Sequence, residues 1–197
     1  GLDVQILRGT GKGVKVQTED IYFALKFQVT EEDGELEVET KARRFPWRIN
    51  QGNYGNVWIY IPEDLQLEAA DLQMGIGELY VENIDAGELK MEVGAGTAAL
   101  DWFTADELDV EVGVGTVEAS GDTRQQADLE CGVGSLVYTA AGKEADFNYS
   151  LECGVGELNV GANSYSGLGV EQTVDNRAQK TMNIVCDVGS TEIYFEE

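Results

Sequence analysis

The fold class that the sequence predicts is all-β: a right-handed parallel β-helix or β-solenoid with turns of about 19 residues and an N-terminal β-hairpin cap. Three observations predict it. A Gly-x-Gly motif recurs at Gly75-Ile76-Gly77, Gly94-Ala95-Gly96, Gly113-Val114-Gly115, Gly132-Val133-Gly134 and Gly154-Val155-Gly156, with a degenerate copy at Asp187-Val188-Gly189. The steps between first positions are 19, 19, 19, 22 and 33 residues. Around each copy, apolar residues hold one register at a spacing of two, which is the period of a strand and not of a helix.

Taken in chain order, residues 21–29 and 35–40 read as two strands joined by an acidic turn with Gly34, a hairpin that closes one end of the stack. Residues 1–48 are therefore assigned to a cap and residues 49–197 to the solenoid repeats, the whole forming one structural domain. Val57, Ile59, Ile61, Leu65 and Leu67 continue the alternation around Pro62 and predict a less regular first turn. Residues 161–180, rich in Gly, Ser and Asn, read as a surface excursion or small hairpin before the last copy.

Within the repeats, the residue before each motif is Met74, Val93, Val112, Cys131, Cys153 or Cys186. Two positions earlier stand Leu72, Met91, Val110, Leu129, Leu151 and Ile184. Two positions later stand Ile76, Ala95, Val114, Val133, Val155 and Val188, which the same alternation places on the inward side. The next apolar column follows after three residues, at Leu79, Ala98, Val117, Leu136 and Leu158, with Thr191 as the exception. That change of parity falls at the second glycine, where the chain turns a corner. One copy alone is too small to bury a core, so like columns are expected to stack about 4.8 Å apart with parallel pairing.

Composition narrows the function. There are 37 acidic and 13 basic residues and no histidine, for a formal charge of -24. Nucleic acid is excluded as a partner, because lysine and arginine supply most of the affinity for a polyanion. The charge is unevenly spread: residues 1–48 carry eight basic and nine acidic side chains, residues 49–197 five and twenty-eight. No apolar run is long enough to span a membrane. The chain begins at Gly1 and not Met, and a leader or membrane anchor upstream is expected.

The segment Val57-Trp58-Ile59-Tyr60-Ile61-Pro62, then Leu65-Gln66-Leu67, then short repeats of the form Gly-x-Gly-x-Leu-x-Val, resembles the bacterial putative-adhesin family of domains of unknown function. The resemblance covers about residues 50–197, and residues 1–48 match less well. It implies a β-helix-like fold, export and frequent membrane anchoring. It implies no catalytic residues.

Three clusters are candidates for chemistry. Asp109, Glu111, Asp128 and Glu130 form a compact acidic patch if the stack is parallel, suited to Ca²⁺ with its six to eight oxygen ligands or to a polycationic partner. A solvated face is the simpler reading, since carboxylates 4.8 Å apart in a water-like dielectric repel by only about 1 kcal/mol. The calcium-binding nonapeptide of β-rolls is absent. Arg43, Arg44, Trp47 and Arg48, with Lys41, Phe45 and Pro46, make the basic and aromatic cluster; it suits an anionic lipid or wall polymer, or else guards a strand edge. The three cysteines share one inward column and are expected to be inert core thiols, with no histidine in the chain to activate them. The run Arg8-Gly9-Thr10-Gly11-Lys12-Gly13 lacks phosphate-loop spacing.

The function expected is that of a non-enzymatic cell-envelope or extracellular surface protein, an adhesin or envelope-sensing scaffold that binds a protein or glycan and needs no cofactor. A carbohydrate-active β-helix enzyme, lyase-like or hydrolase-like, is the alternative, on fold analogy alone. Glycosidase chemistry needs two carboxylates about 5–9.5 Å apart, and no pair is singled out.

Overall fold

The computed structural model describes residues 1–42 and 54–196. Ten strands account for nearly all of them: β1 Leu2–Gly9, β2 Lys15–Glu19, β3 Leu25–Glu32, β4 Glu35–Ala42, β5 Asn56–Pro62, β6 Leu67–Val81, β7 Ile84–Ala141, β8 Phe147–Val160, β9 Asn163–Val174 and β10 Lys180–Glu196. A single 3₁₀ turn, Glu144–Asp146, lies between β7 and β8. The fold is thus all-β, and its main sheet is a solenoid-like stack of rungs.

The 19-residue period becomes a register. Met74 lies beside Val93, Ile76 beside Ala95 and Gly77 beside Gly96, all in parallel. β7 contains three copies of the motif and stacks on itself, as the second glycines show. A Cβ on Gly96 would strike the carbonyl oxygen of Gly77, one on Gly115 that of Gly96, and one on Gly134 that of Gly115. These glycines also have φ of 141°, 153° and 145°, a region that side-chain-bearing residues avoid. The corner is therefore reserved for glycine twice over, by backbone angle and by the closeness of the neighbouring rung.

Between corners the inward positions follow the predicted columns. Val93, Val112, Cys131, Cys153 and Cys186 are buried, as are Met91, Val110, Leu129, Leu151 and Ile184. Beyond the corner Ala98, Val117, Leu136, Leu158 and the polar exception Thr191 are buried too. A third inward run, Ile84 and Ala86 in one turn and Phe103 and Ala105 in the next, gives each turn three inward-facing stretches around one core. Phe103 stacks with Tyr138 at 6.0 Å between ring centroids, and the Tyr138 hydroxyl meets Thr123 Oγ1 at 2.8 Å, so the buried phenol keeps a partner.

The order of rungs departs from the order of the chain at both ends. β10 pairs in parallel with β7 on one side and with β8 on the other, with Cys186 beside both Cys131 and Cys153. The final copy is therefore inserted between the fourth and fifth. At the other end β1 pairs in parallel with both β5 and β6. Each end is then closed by an antiparallel strand, β2 on β5 and β9 on β8.

Two expectations change accordingly. Within residues 1–48, β1 is a rung of the stack and β2 is the strand that closes it, while β3 and β4 form a separate two-stranded sheet. The hairpin itself is present, with Asp33 and Gly34 at φ of 54° and 86° between the paired Glu32 and Glu35. Positive φ at both central residues is the twist that a two-residue hairpin favours. Residues 161–180, expected as a surface excursion or small hairpin, supply instead the returning arm of a hairpin whose first arm is the rung β8, so that Val160 pairs with Asn163.

The return to β10 is held by side chains. Asn148 Oδ1 accepts from the backbone of Asn176 and Ala178, and its Nδ2 donates to the Ala178 carbonyl at 2.9 Å. Lys180 then reaches Asp122 at 2.8 Å across the face of Phe147.

Candidate functional site

The column expected to continue the core beyond the register position does not. Ile76 is 72% exposed, Val114 56%, Val133 49%, Val155 55% and Val188 48%, while Ala95 is half-buried. The alternation breaks because the residue between the two glycines sits on the convex outside of the corner. The backbone turns there, so a spacing of two no longer returns the side chain to the interior.

Register makes these residues one continuous feature. Ile76 pairs with Ala95, Val133 with Val188, and Val188 with Val155. The antiparallel closing strand adds Leu168, which pairs with Val155 and is 82% exposed. An aliphatic stripe thus runs along the stack, bordered on both sides by glycine columns that add no bulk, except where the exposed Asp187 takes the first glycine's place beside Val188. Scattered exposed valines need no explanation, whereas a contiguous row calls for one.

The columns beside the stripe are polar. On the side before the corner stand Glu92, Glu111, Glu130, Glu152 and Glu171, with Val185 interposed between Glu130 and Glu152. Glu111, Glu130, Glu152 and Glu171 are exposed. On the other side stand Glu78, Thr97, Thr116, Ser135, Ser190 and Glu157, four of them hydroxyl residues.

The acidic patch named from the sequence falls on this same face. Asp109 takes Lys90 at 3.3 Å, and that contact holds the lysine's pKa above its ordinary value. Asp128 accepts from Gln126 Nε2 and Asn183 Nδ2, each at 2.6 Å. Glu111 and Glu130 instead line the stripe. Among the described residues no three Asp, Glu or Cys side chains converge as a metal site. The basic and aromatic candidates Arg43, Arg44, Trp47 and Arg48 lie outside the described residues.

The thiols lie in the core. Cys131, Cys186 and Cys153 follow one another in register, each 0% exposed and none in a disulfide. Burial pushes Cys131 up to about 11 and Cys153 in the same direction, so both stay protonated and weakly nucleophilic at neutral pH.

The Toastrack DUF4097 family model matches residues 1–167, which takes in the N-terminal strands as well as the repeats. The chain belongs to the Toastrack DUF4097 family. That match includes β1 and β2 and stops within β9, so the inserted β10 lies beyond it. No curated protein matches the chain. Among solved structures, that of a putative cell adhesion protein from Clostridium sporogenes ATCC 15579 is similar, at 16% identity and a TM-score of 0.49, covering 99% of this chain and 89% of that one. No described helix of this Toastrack chain is long and apolar enough to cross a membrane.

Proposed function

We propose that this Toastrack chain is a non-enzymatic binding scaffold of the bacterial cell envelope, displayed at the surface from an anchor outside the described residues, and that it adheres through the stripe at its Gly-x-Gly corners. The observation that carries this reading is the repetition. Ile76, Val114, Val133, Val155 and Val188 are exposed at equivalent places in five rungs of a chain whose charge is -24. A highly charged protein gains nothing in solubility from such a row, so a contact is the economical reason for it.

The resemblance stated from the sequence, which implies export, supports the compartment. A right-handed coil belongs to the same proposal, since parallel strands joined by crossovers take that hand in nearly all cases. Among the described residues the glutamates Glu92, Glu111, Glu130, Glu152 and Glu171 beside the stripe form no ion pair, which leaves their charge available to a docked partner.

Purified chain labelled with a fluorophore and sedimented with isolated cell envelopes tests the reading. Wild-type protein is expected to co-sediment, and the double substitution Val114→Ser, Val133→Ser to reduce the bound fraction at least fivefold with unchanged melting temperature. Equal binding by both proteins would remove the stripe from the function.

A further inference from the structure

We propose that the partner presented to the stripe is a cationic amphipathic helix, one with an apolar face bordered by lysine or arginine, lying along the axis of the stack. This rests on the adhesive reading of the stripe and supplies the chemistry of the partner.

Charge complementarity carries it. The stripe is bordered along its length by Glu92, Glu111, Glu130, Glu152 and Glu171, and among the described residues none of the five forms an ion pair with a lysine or arginine. Lys90 pairs with Asp109, and its charge reaches Glu111 without forming an ion pair with it. An apolar partner surface brought to this row meets unneutralised carboxylates at five of its seven rungs, Gln73 and Val185 being the other two, so affinity requires bases beside the apolar groups. A second copy of the chain would bring its own glutamates against these and is disfavoured by repulsion. An anionic membrane is disfavoured for the same reason.

The spacing selects the conformation. Successive stripe residues are one rung apart, about 4.8 Å. A helix repeats its apolar face every 5.4 Å, whereas an extended strand returns a side chain to one face only every 6.6 Å or so. The seven positions from Ile76 to Leu168 span about 29 Å, the length of a helix of about 19 residues. The hydroxyl column on the far side leaves that flank of the helix free to be polar or uncharged.

The probe is a 19-residue synthetic peptide with leucine on one helical face and lysine elsewhere, titrated against the whole chain by fluorescence anisotropy. Micromolar binding is expected. It should weaken at least tenfold with Val114→Ser, Val133→Ser, at least threefold with Glu111→Gln, Glu130→Gln, and at least tenfold when the same leucines and lysines are reordered to abolish the apolar face. Equal binding of the reordered peptide would reduce the interaction to charge alone and overturn the proposal. Unchanged binding by the serine variant would also overturn it. So would stripe-dependent binding of neutral phosphatidylcholine vesicles without peptide binding, or a dimer in sedimentation that the serine variant dissolves. Loss of envelope binding in that variant without any peptide binding overturns the cationic helix while leaving the adhesive stripe in place; no effect in either assay removes both.

Discussion

Two glycines, one from the first glycine column and one from the second, show most clearly how residue chemistry fixes the corner. Gly75 and Gly96 belong to adjacent copies of one motif, yet their surroundings differ. A Cβ at Gly75 meets nothing within 4 Å, whereas one at Gly96 runs into the backbone of Gly77 at a φ of 141°. Gly96→Ala is therefore expected to cost about 1–3 kcal/mol, through crowding and backbone strain together. Gly75→Ala should stay within about 0.5 kcal/mol of wild type. Urea denaturation of the two variants distinguishes them, and equal losses would mean that the second glycine has no special role.

The same scale explains what the sequence hid. Val112 and Val114 are both β-branched, both two residues from a like neighbour, and differ only in which side of Gly113 they occupy. Alternation assigns both to the core, and only the sharpness of the corner separates them. The parity change after the second glycine was visible in the column spacing, but it gave the position of the bend without saying on which side the residue between the glycines would project.

At the scale of elements, the repeat period translated directly into rungs, because each strand-corner-strand unit pairs in register with its neighbours. The order of the last two rungs was not legible. The columns of the copies at 154 and 187 fit the stack equally well in either order, since both place a cysteine beside Cys131's column. What decides it is the path between them. β9 turns back antiparallel on β8 and occupies its outer edge, leaving the place between β8 and β7 for β10.

Cysteine pairs on the exposed stripe report this order. Val133→Cys with Val188→Cys places thiols on adjacent rungs, whereas Val133→Cys with Val155→Cys leaves the β10 rung between them, about 9.6 Å across two spacings. Mild oxidation is expected to cross-link the first pair within the native monomer and not the second. The opposite pattern would restore sequential stacking. The hairpin of β3 and β4 was readable from its Asp-Gly turn, yet its separation from the main sheet was not, because local turn chemistry says nothing of which sheet a hairpin joins.

The whole molecule is organised by a division between two neighbouring columns. The buried one holds the rungs together through a core shared along the stack, and the exposed one presents a row of aliphatic groups beside a row of glutamates. Composition alone made the acidic surface plain, and the repeat made its ordering into columns plain. That an apolar column shares that surface required the coordinates.

The most direct test compares Val112→Ala with Val114→Ala by chemical denaturation. Val112 is 1% exposed and Val114 is 56% exposed, though only Gly113 separates them. The first variant is expected to lose about 2 kcal/mol, as removal of buried methyl groups does, and the second to remain within about 0.5 kcal/mol of wild type. Comparable losses at the two positions would place both side chains in the core and contradict the exposed stripe.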